Sequence, residues 1–318
     1  MNACRLQSRV VVSVLALLAA TQAGEPTRPA SFQWPDSSRY SRVIVNAQQG
    51  VESYPKEWFS RDTLVTDLTI ADANRIGSDT ASRQYQILRD LLRSYGLVVG
   101  TYISGTTVEP QAAETRYPWA VVPLEWMPEN SLYLGNVPDE ASRKIIDVSD
   151  PATRHSFQSA IKKLWEQNPA SVRFIDNAAV HQSAGKGQPW ESYCRNMKEI
   201  REMGEAMGSV QIFNIPVHVG ALSDAEADQL IDAVGQGGIL LEMPWHQDIR
   251  KDPAATERAR LRYRQLLDSG MAIIMAEPGP EPSPALVKWV NTWRKPTDHL
   301  YFGGAFWKQA DPILYVAP

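Results

Sequence analysis

Three acidic residues each close an apolar run: Asp176 in "FID", Glu242 in "ILLE" and Glu277 in "IIMAE". An ionised carboxylate at the end of a buried segment is costly unless it is paired or hydrogen-bonded. Each is therefore either a loop-start residue bonding backbone N–H groups or part of a site. Two such groups facing one another could work as a pair, one donating a proton to a leaving oxygen and the other attacking carbon or activating water. The donor has to stay protonated near neutral pH, which an apolar setting or a neighbouring charge can achieve. "LLEMPW" gives Glu242 apolar and aromatic neighbours and fits it to the acid role, while Asp176, followed by Asn177, fits the ionised partner.

Other chemistries find less support. A zinc hydrolase would want His-x-His or His-Glu-x-x-His, and neither occurs. There is no Gly-x-Ser-x-Gly elbow, "GTTVEP" is not a phosphate loop, and no strand end offers a lysine for a Schiff base. His218, in "PVHVG", reads as a loop or core histidine, whereas His246, close to Glu242, reads as lining a site. No metal and no cofactor is implied. Two carboxylates facing each other across a pocket are what glycosidic cleavage needs.

The elements that would carry these residues alternate. Strand-like runs occupy 42–48, 62–73, 97–105, 172–178, 210–220, 238–246, 271–279 and 299–307. Helical patterns fill 80–96, 151–167, 191–208, 223–235, 255–270 and 284–294, with Ser149 or Asp150 as a cap ahead of Pro151. The stretch 106–145 is a Trp- and Pro-rich insert. Eight strands separated by helices, without hairpins, predict a parallel sheet covered on both faces, and in this length a single-domain α/β (β/α)8 TIM barrel over 42–318. An open doubly wound sheet is the alternative, and the lack of Gly-x-Gly-x-x-Gly after the first strand weighs against its dinucleotide-binding form.

Barrel chemistry collects where strands end. The polar residues there are Asn46, Gln48 and Gln49 after strand one, Asp67 or Asp72 on strand two, and Tyr102 and Ser104 on strand three. Strand four ends in Asp176 and Asn177, strand five in Asn214, strand six in Glu242 with Trp245 and His246 beyond, and strand seven in Glu277. Asn46, Tyr102, Asn177, Asn214, Trp245, His246, Glu277 and Trp307 are the expected substrate contacts around the Asp176/Glu242 pair. Ten Trp and eleven Tyr are a heavy aromatic load, and several Trp (Trp119, Trp126, Trp190, Trp245, Trp307) fall in loop-like contexts. Flat aromatic faces suit sugar rings, a mild pointer to carbohydrate.

The first residues read as a leader. Arg5 and Arg9 precede the apolar "VVVSVLALLAA", and Thr21 and Ala23 fit a cleavage site, so residues 1–23 are expected to be a secretory signal peptide and the protein periplasmic or secreted. Residues 24–41 read as an extended leader. Removing Arg5 and Arg9 takes the net charge from −4 to −6, which argues against a nucleic-acid partner. No later run is long enough to cross a membrane, so none is expected as a partner once the leader is cleaved. Cys194 is then the sole cysteine, so no intrachain disulfide can form, and it reads as a buried apolar filler.

Residues 145–180, "IIDVSDPATRHSFQSAIKKLW…VRFIDNAAV", resemble a pattern in secreted TIM-barrel glycoside hydrolases related to endo-polygalactosaminidases. In that pattern an Asp-Pro-x-x-Arg helix precedes a strand ending Asp-Asn, a later strand carries Asn, and the next ends in Glu. The matching positions are Asp150, Pro151 and Arg154, then Asp176 and Asn177, then Asn214 and Glu242. The resemblance implies a TIM barrel with Asp176 and Glu242 as the catalytic pair. The Asp-Gly turn usual ahead of the fourth strand is absent from "ASVRFID". Glu277 is the competing partner for Asp176, ranked second because Asp precedes Asn on strand four. The function expected is glycoside hydrolysis of a poly- or oligosaccharide, with a non-catalytic carbohydrate-binding barrel of a surface-glycan or export system as the alternative.

Overall fold

A computed structural model of the chain describes residues 32–34, 42–45, 63–65, 90, 98–109, 122–127, 133–137, 140–167, 169–179, 188–215, 219–242, 244, 252–277, 283–304 and 313–314. A parallel sheet starts with β1 (Arg42–Val45), β2 (Thr63–Val65) and β3 (Val98–Ser104). The chain then makes an excursion through β4 (Thr107–Glu109), β5 (Val122–Pro123), β6 (Tyr133–Val137) and β7 (Glu140–Ile146). It returns to the parallel sheet with β8 (Val172–Asp176), β9 (Val210–Asn214), β10 (Gly238–Glu242), β11 (Ala272–Glu277) and β12 (Leu300–Gly304). A short β13 (Ile313–Leu314) pairs antiparallel with β1.

The eight parallel strands lie side by side in chain order. The last, β12, comes back within 8 Å (Cα–Cα) of the first, β1, although no ladder joins them among the described residues. This is the (β/α)8 architecture expected from the alternating pattern. Helices α1 (Pro151–Gln167), α2 (Trp190–Ala206), α3 (Asp224–Val234), α4 (Pro253–Asp268) and α5 (Pro284–Asn291) connect its second half. The helix expected over 80–96 lies outside the described residues except for Asp90, which is helical.

Local chemistry sets the helix starts. Asp150, rather than Ser149, caps α1, its Oδ2 accepting from the Thr153 N–H at 2.7 Å, with Pro151 in the first turn. Ser223 and Glu226 cap one another reciprocally at the head of α3. Helix α4 starts two residues earlier than its apolar spacing suggests, because Asp252 accepts from Ala255 N–H at 2.6 Å and Pro253 follows it.

The insert departs from expectation. It contains a second, four-stranded sheet in the order β5-β4-β7-β6, with antiparallel pairing between β6 and β7 and between β4 and β7. The sequence reading allowed no hairpins. It missed this one because β6 is interrupted by Gly135 and the β6–β7 register shifts twice, which breaks the period-two alternation that marks a strand.

Alternation along the parallel strands sorts side chains into two cores. Val172 and Phe174 of β8, Ile212 of β9, Leu240 of β10, Ala272, Ile274 and Ala276 of β11 and Tyr301 of β12 fill the barrel. Their neighbours Ile175, Phe213, Ile239, Leu241, Ile273, Met275 and Phe302 face the helical layer, where Phe157, Ile161, Met197, Ile200, Leu230 and Leu266 cover them. Arg173 takes an outward position and is 1% exposed, with Nε donating to Ser209 Oγ at 3.1 Å and the guanidinium 4.4 Å from the Trp165 ring centroid.

The lower end of the barrel is closed by Phe32 and Trp34. Phe32 and Trp34 pack against the interior cluster, Trp34 stacks on Tyr301 at 5.8 Å, and its Nε1 donates to Gln236 O at 3.1 Å. Gly238, which opens β10, leaves the room for this ring. A Cβ there would lie 2.7 Å from Trp34 Cη2. Among the described residues no helix is long and apolar enough to cross a membrane.

Trp34→Ala should therefore lower the stability by about 2–3 kcal/mol, since a large half-buried ring and its hydrogen bond are lost. Gly238→Ala should be destabilising alone but close to neutral in the Trp34→Ala background, because the clash then has no partner. Thermal denaturation of the two single variants and the double variant measures that coupling; strict additivity would mean that the ring does not plug the barrel.

Candidate active site

The same alternation that fills the barrel carries Asp176, Asn214 and Glu242 onto its interior face. Asp176 follows Val172 and Phe174 in parity, Asn214 follows Ile212, and Glu242 follows Gly238 and Leu240. All three sit at the C-terminal ends of adjacent parallel strands. The apolar layers stop one step below them, so the polar groups form the top layer of the barrel interior.

Asp176 is held by four donors. Tyr102 Oη donates to Oδ2 at 2.6 Å, and Asn177 Nδ2 reaches the same oxygen at 3.0 Å. Asn177 N–H donates to Oδ1 at 2.9 Å, and Asn214 Nδ2 to Oδ1 at 2.6 Å. Four donors on two oxygens use all the acceptor capacity of an ionised carboxylate. Asn177 can fold back in this way because its backbone is left-handed, with φ of 49°. Asparagine tolerates that conformation better than any other residue with a side chain of its size.

The Asn214 amide nitrogen also donates to Glu242 Oε1 at 2.6 Å. Two oxygens that each lie 2.6 Å from one nitrogen can be no farther apart than twice that distance, about 5.2 Å. Asn214 is 3% exposed, and its Oδ1 is buried without a partner among the described residues. Glu242 is pushed up to about 8, first by burial and then by the charge of Asp176, with the Asn214 hydrogen bond pulling the other way.

Small and polar residues after β3 hold the end of β8 in place. The Gly105 N–H donates to Asp176 O at 2.7 Å, and Thr106 Oγ1 donates to Asn177 O at 2.6 Å. A Cβ on Gly105 would lie 2.6 Å from Ile175 Cγ2 and 3.1 Å from Ala178 Cα, so only glycine lets the two strands approach this closely. The Gly105 carbonyl accepts from Asn196 Nδ2 on α2 at 3.2 Å. Gln158 Nε2 of α1 in turn donates to Asn196 Oδ1 at 3.1 Å and to Glu199 Oε2 at 2.6 Å. Arg154, from the Asp-Pro-x-x-Arg segment, donates to Glu199 at 2.9 Å and to Val148 O at 2.9 Å. That segment thus acts through a hydrogen-bonded network that ends beneath Asp176. Asp150 caps the helix and Arg154 locks α1 to α2.

Of the residues singled out in the sequence, the structure brings together Asp176, Asn177, Asn214, Tyr102 and Glu242. Tyr102 and Asn177 are engaged with Asp176 itself. Glu277 ends β11 one residue beyond Ala276, the ladder partner of Glu242. Ser104 is the ladder partner of Asp176 and is hydrogen-bonded to Thr107. Asn46, Gln48, Gln49, Asp67, Asp72, His218, Trp245, His246 and Trp307 lie outside the described residues, as does Trp119. Two of the tryptophans read as loop residues have packing roles: Trp190 opens α2 and donates to Glu226 O at 3.0 Å, and Lys163 Nζ sits 4.0 Å over the Trp126 ring. Cys194 is buried and its thiol is pushed up to about 12 by burial and nearby acids, which suits a filler. Gly105, Thr106 and Asn196 were missed. The run "SGTT" directly after a strand was the available signal for the first two; Asn196 carries none, since its role depends on a strand 91 residues away. Among the described residues no cluster of three or more His, Cys, Asp or Glu side chains could hold a metal ion.

Neither a protein-family model nor a curated protein matches the sequence at a significant level. Solved structures do match in fold. Ega3 of Aspergillus fumigatus in complex with galactosamine aligns with a TM-score of 0.53 and 10% identity, over 87% of this chain and 96% of that one. A GH18 chitinase from Pseudoalteromonas aurantia aligns at 0.46 and 9%, over 83% and 93%, and a family 20 β-N-acetylglucosaminidase at 0.44 and 11%, over 85% and 65%. The fold they share with this chain is a TIM barrel.

The raised Glu242 pKa has a consequence for stability. Below about pH 4.5 the carboxyl is protonated in the folded and unfolded chains alike. Between there and about pH 8 the unfolded chain releases the proton while the folded protein keeps it, so stability falls as pH rises through that window and levels off above it. Glu242→Gln keeps the shape and removes the titration. The variant should match the wild type near pH 4.5 and exceed it by on the order of 5 kcal/mol above pH 8. Urea denaturation across this range tests it; a difference independent of pH would show that Glu242 is not held protonated.

Proposed function

We propose that the protein is a secreted glycoside hydrolase that cleaves a poly- or oligosaccharide, with Asp176 as nucleophile and Glu242 as general acid and then base. The observation that carries this reading is the single Asn214 amide nitrogen lying 2.6 Å from a carboxylate oxygen of each residue. The two oxygens it bridges, Asp176 Oδ1 and Glu242 Oε1, are at most about 5.2 Å apart, a close approach of the kind retaining enzymes use, in which the second carboxylate itself attacks the sugar. Inverting enzymes keep their carboxylates farther apart to admit a water. The leader over residues 1–23 supports export.

In the first step the Glu242 proton passes to the glycosidic oxygen, the bond from that oxygen to the anomeric carbon breaks, and an Asp176 oxygen bonds to the same carbon. The leaving chain departs as an alcohol. Esterified Asp176 no longer carries the charge that helps to raise Glu242, so the Glu242 pKa falls. Having given up its proton, Glu242 takes one from water as that water attacks the anomeric carbon and frees Asp176. The change in the neighbour's charge thus helps one carboxyl to serve as acid in the first step and as base in the second.

The described contacts on the two carboxylates come from a phenol, two side-chain amides and a main-chain N–H, with no Lys or Arg among them. A site with an anion at its centre suits a sugar that brings hydrogen-bond donors of its own. Amino-sugar polymers are therefore the first substrates to test, and the galactosamine bound to the similarly folded Ega3 supports that choice.

The mature protein should hydrolyse one glycan of a panel containing amino-sugar, amide-sugar and neutral polymers, releasing a product of retained anomeric configuration by NMR. Asp176→Asn should lower kcat at least about 10³-fold on every substrate, whereas Glu242→Gln should lose much less on aryl glycosides whose leaving group needs no proton. Rates should fall above about pH 8 as Glu242 loses its proton. Undiminished hydrolysis by Glu242→Gln on the natural glycan would remove it from the acid role, and binding without cleavage across the panel would favour a carbohydrate-binding barrel.

A further inference from the structure

Asn214 has two amide hydrogens, and the two carboxylates take one each. Its Nδ2 lies 2.6 Å from Asp176 Oδ1 and 2.6 Å from Glu242 Oε1. The opposite amide orientation would aim a carbonyl oxygen at an oxygen of each acid, lone pair against lone pair, so the carboxylates themselves fix which way the amide points. The main chain leaves it little freedom. Asn214 O accepts from Ala178 N–H at 3.0 Å on the β8 side, and the next residue, Ile215, donates its N–H to Leu240 O at 3.2 Å on the β10 side. The side chain is almost fully buried, and it is held through its nitrogen alone, since Oδ1 has no partner among the described residues.

A protonated carboxylic acid has two unlike oxygens. The carbonyl oxygen is the good hydrogen-bond acceptor, and the hydroxyl oxygen carries the proton. Because Asn214 donates to Glu242 Oε1, the protonated acid places its carbonyl there and its O–H on Oε2. We propose that Asn214 is a positioning residue that assigns the Glu242 proton to Oε2, so that the acid is aimed before substrate arrives. The inference about catalysis rests on the glycosidase reading; the placement of the proton is a property of the free protein and does not.

The same contact serves both halves of the reaction. In the first, the proton leaves Oε2 for the glycosidic oxygen. In the second, Asn214 still occupies Oε1, so the proton taken from water returns to Oε2. The groups that act on the charge of Glu242 from the packed strands are Asp176 of β8, with Tyr102 of β3 behind it, and Asn214 of β9; Glu277 ends the neighbouring β11. Asp176 and burial favour the proton on Glu242, and the Asn214 hydrogen bond opposes them. Removing the amide should therefore raise the titration of Glu242 further, an effect that loss of structure alone would not produce.

Infrared difference spectra of the substrate-free protein, with Glu242→Gln subtracted, isolate the carbonyl stretch of the Glu242 acid. In the wild type the band should lie at the lower frequency of a hydrogen-bonded carbonyl and vanish with a midpoint near pH 8. In Asn214→Ala and Asn214→Ser the band should move to higher frequency and the midpoint should rise by about one pH unit, a tenfold change in the ionisation constant. Where a glycan is cleaved, the alkaline limb of kcat/KM should shift upward in the same variants, with kcat falling at least about tenfold and KM changing little. An unchanged band and midpoint in the variants would overturn the assignment. Should neither variant fold, a wild-type band at the frequency of a free carbonyl would overturn it equally. A wild type that cleaves no glycan would instead remove the glycosidase reading and leave the titration result standing.

Discussion

One amide nitrogen shared by two carboxylates is the contact around which the upper barrel is arranged. Asp176 and Glu242 sit directly above layers filled by Phe174, Ile212, Leu240 and Ile274, where an unsolvated charge is expensive. The structure meets that cost differently at the two residues. Asp176 is given four donors. Among the described residues Glu242 is given one and is left nearly buried beside its neighbour's charge, so that holding its proton is the less costly state at neutral pH. Their division of labour follows from unequal solvation of two chemically similar groups.

Holding that arrangement requires the ends of β3, β8 and β9 to stay in fixed relation. The Gly105 N–H on the Asp176 carbonyl and the Ala178 N–H on the Asn214 carbonyl tie them together above the regular ladders. Buried Asn196 fastens Gly105 from the helical layer, and the chain of Gln158, Glu199 and Arg154 continues the support to the start of α1. The residues that resemble a glycosidase pattern outside the strand ends, Asp150 and Arg154, belong to this support. Sequence similarity at such positions therefore reflects the geometry of the site as well as its chemistry. At the other end of the barrel, Trp34 and Phe32 close the interior, leaving the face with the carboxylates as the one where the polar layer lies.

Much of this was legible in the chain. The eight-strand order, the places of Asp176, Asn214 and Glu242 at strand ends, and a cap at Ser149 or Asp150 all depend on periodicity and turn chemistry within a few residues. The insert sheet was not legible, because β6 and β7 are irregular in register and so lack a clean alternation. Nor were the packing roles of Trp34, Trp126 and Trp190, since an aromatic side chain between Pro and Gly residues has the same local signature whether it faces a sugar, a helix or the floor of a barrel.

The sequence by itself determined which residues could react and which face of the sheet they occupy, because side-chain direction alternates along each strand regardless of what packs against it. Tertiary structure alone decided that Asp176 and Glu242 lie close enough to share Asn214, that Gly105 and Asn196 brace them, and that one acid keeps its proton. Those properties depend on the stagger between neighbouring strands and on the water excluded by helices and strands far apart in the chain, and neither quantity is encoded within any short stretch of residues.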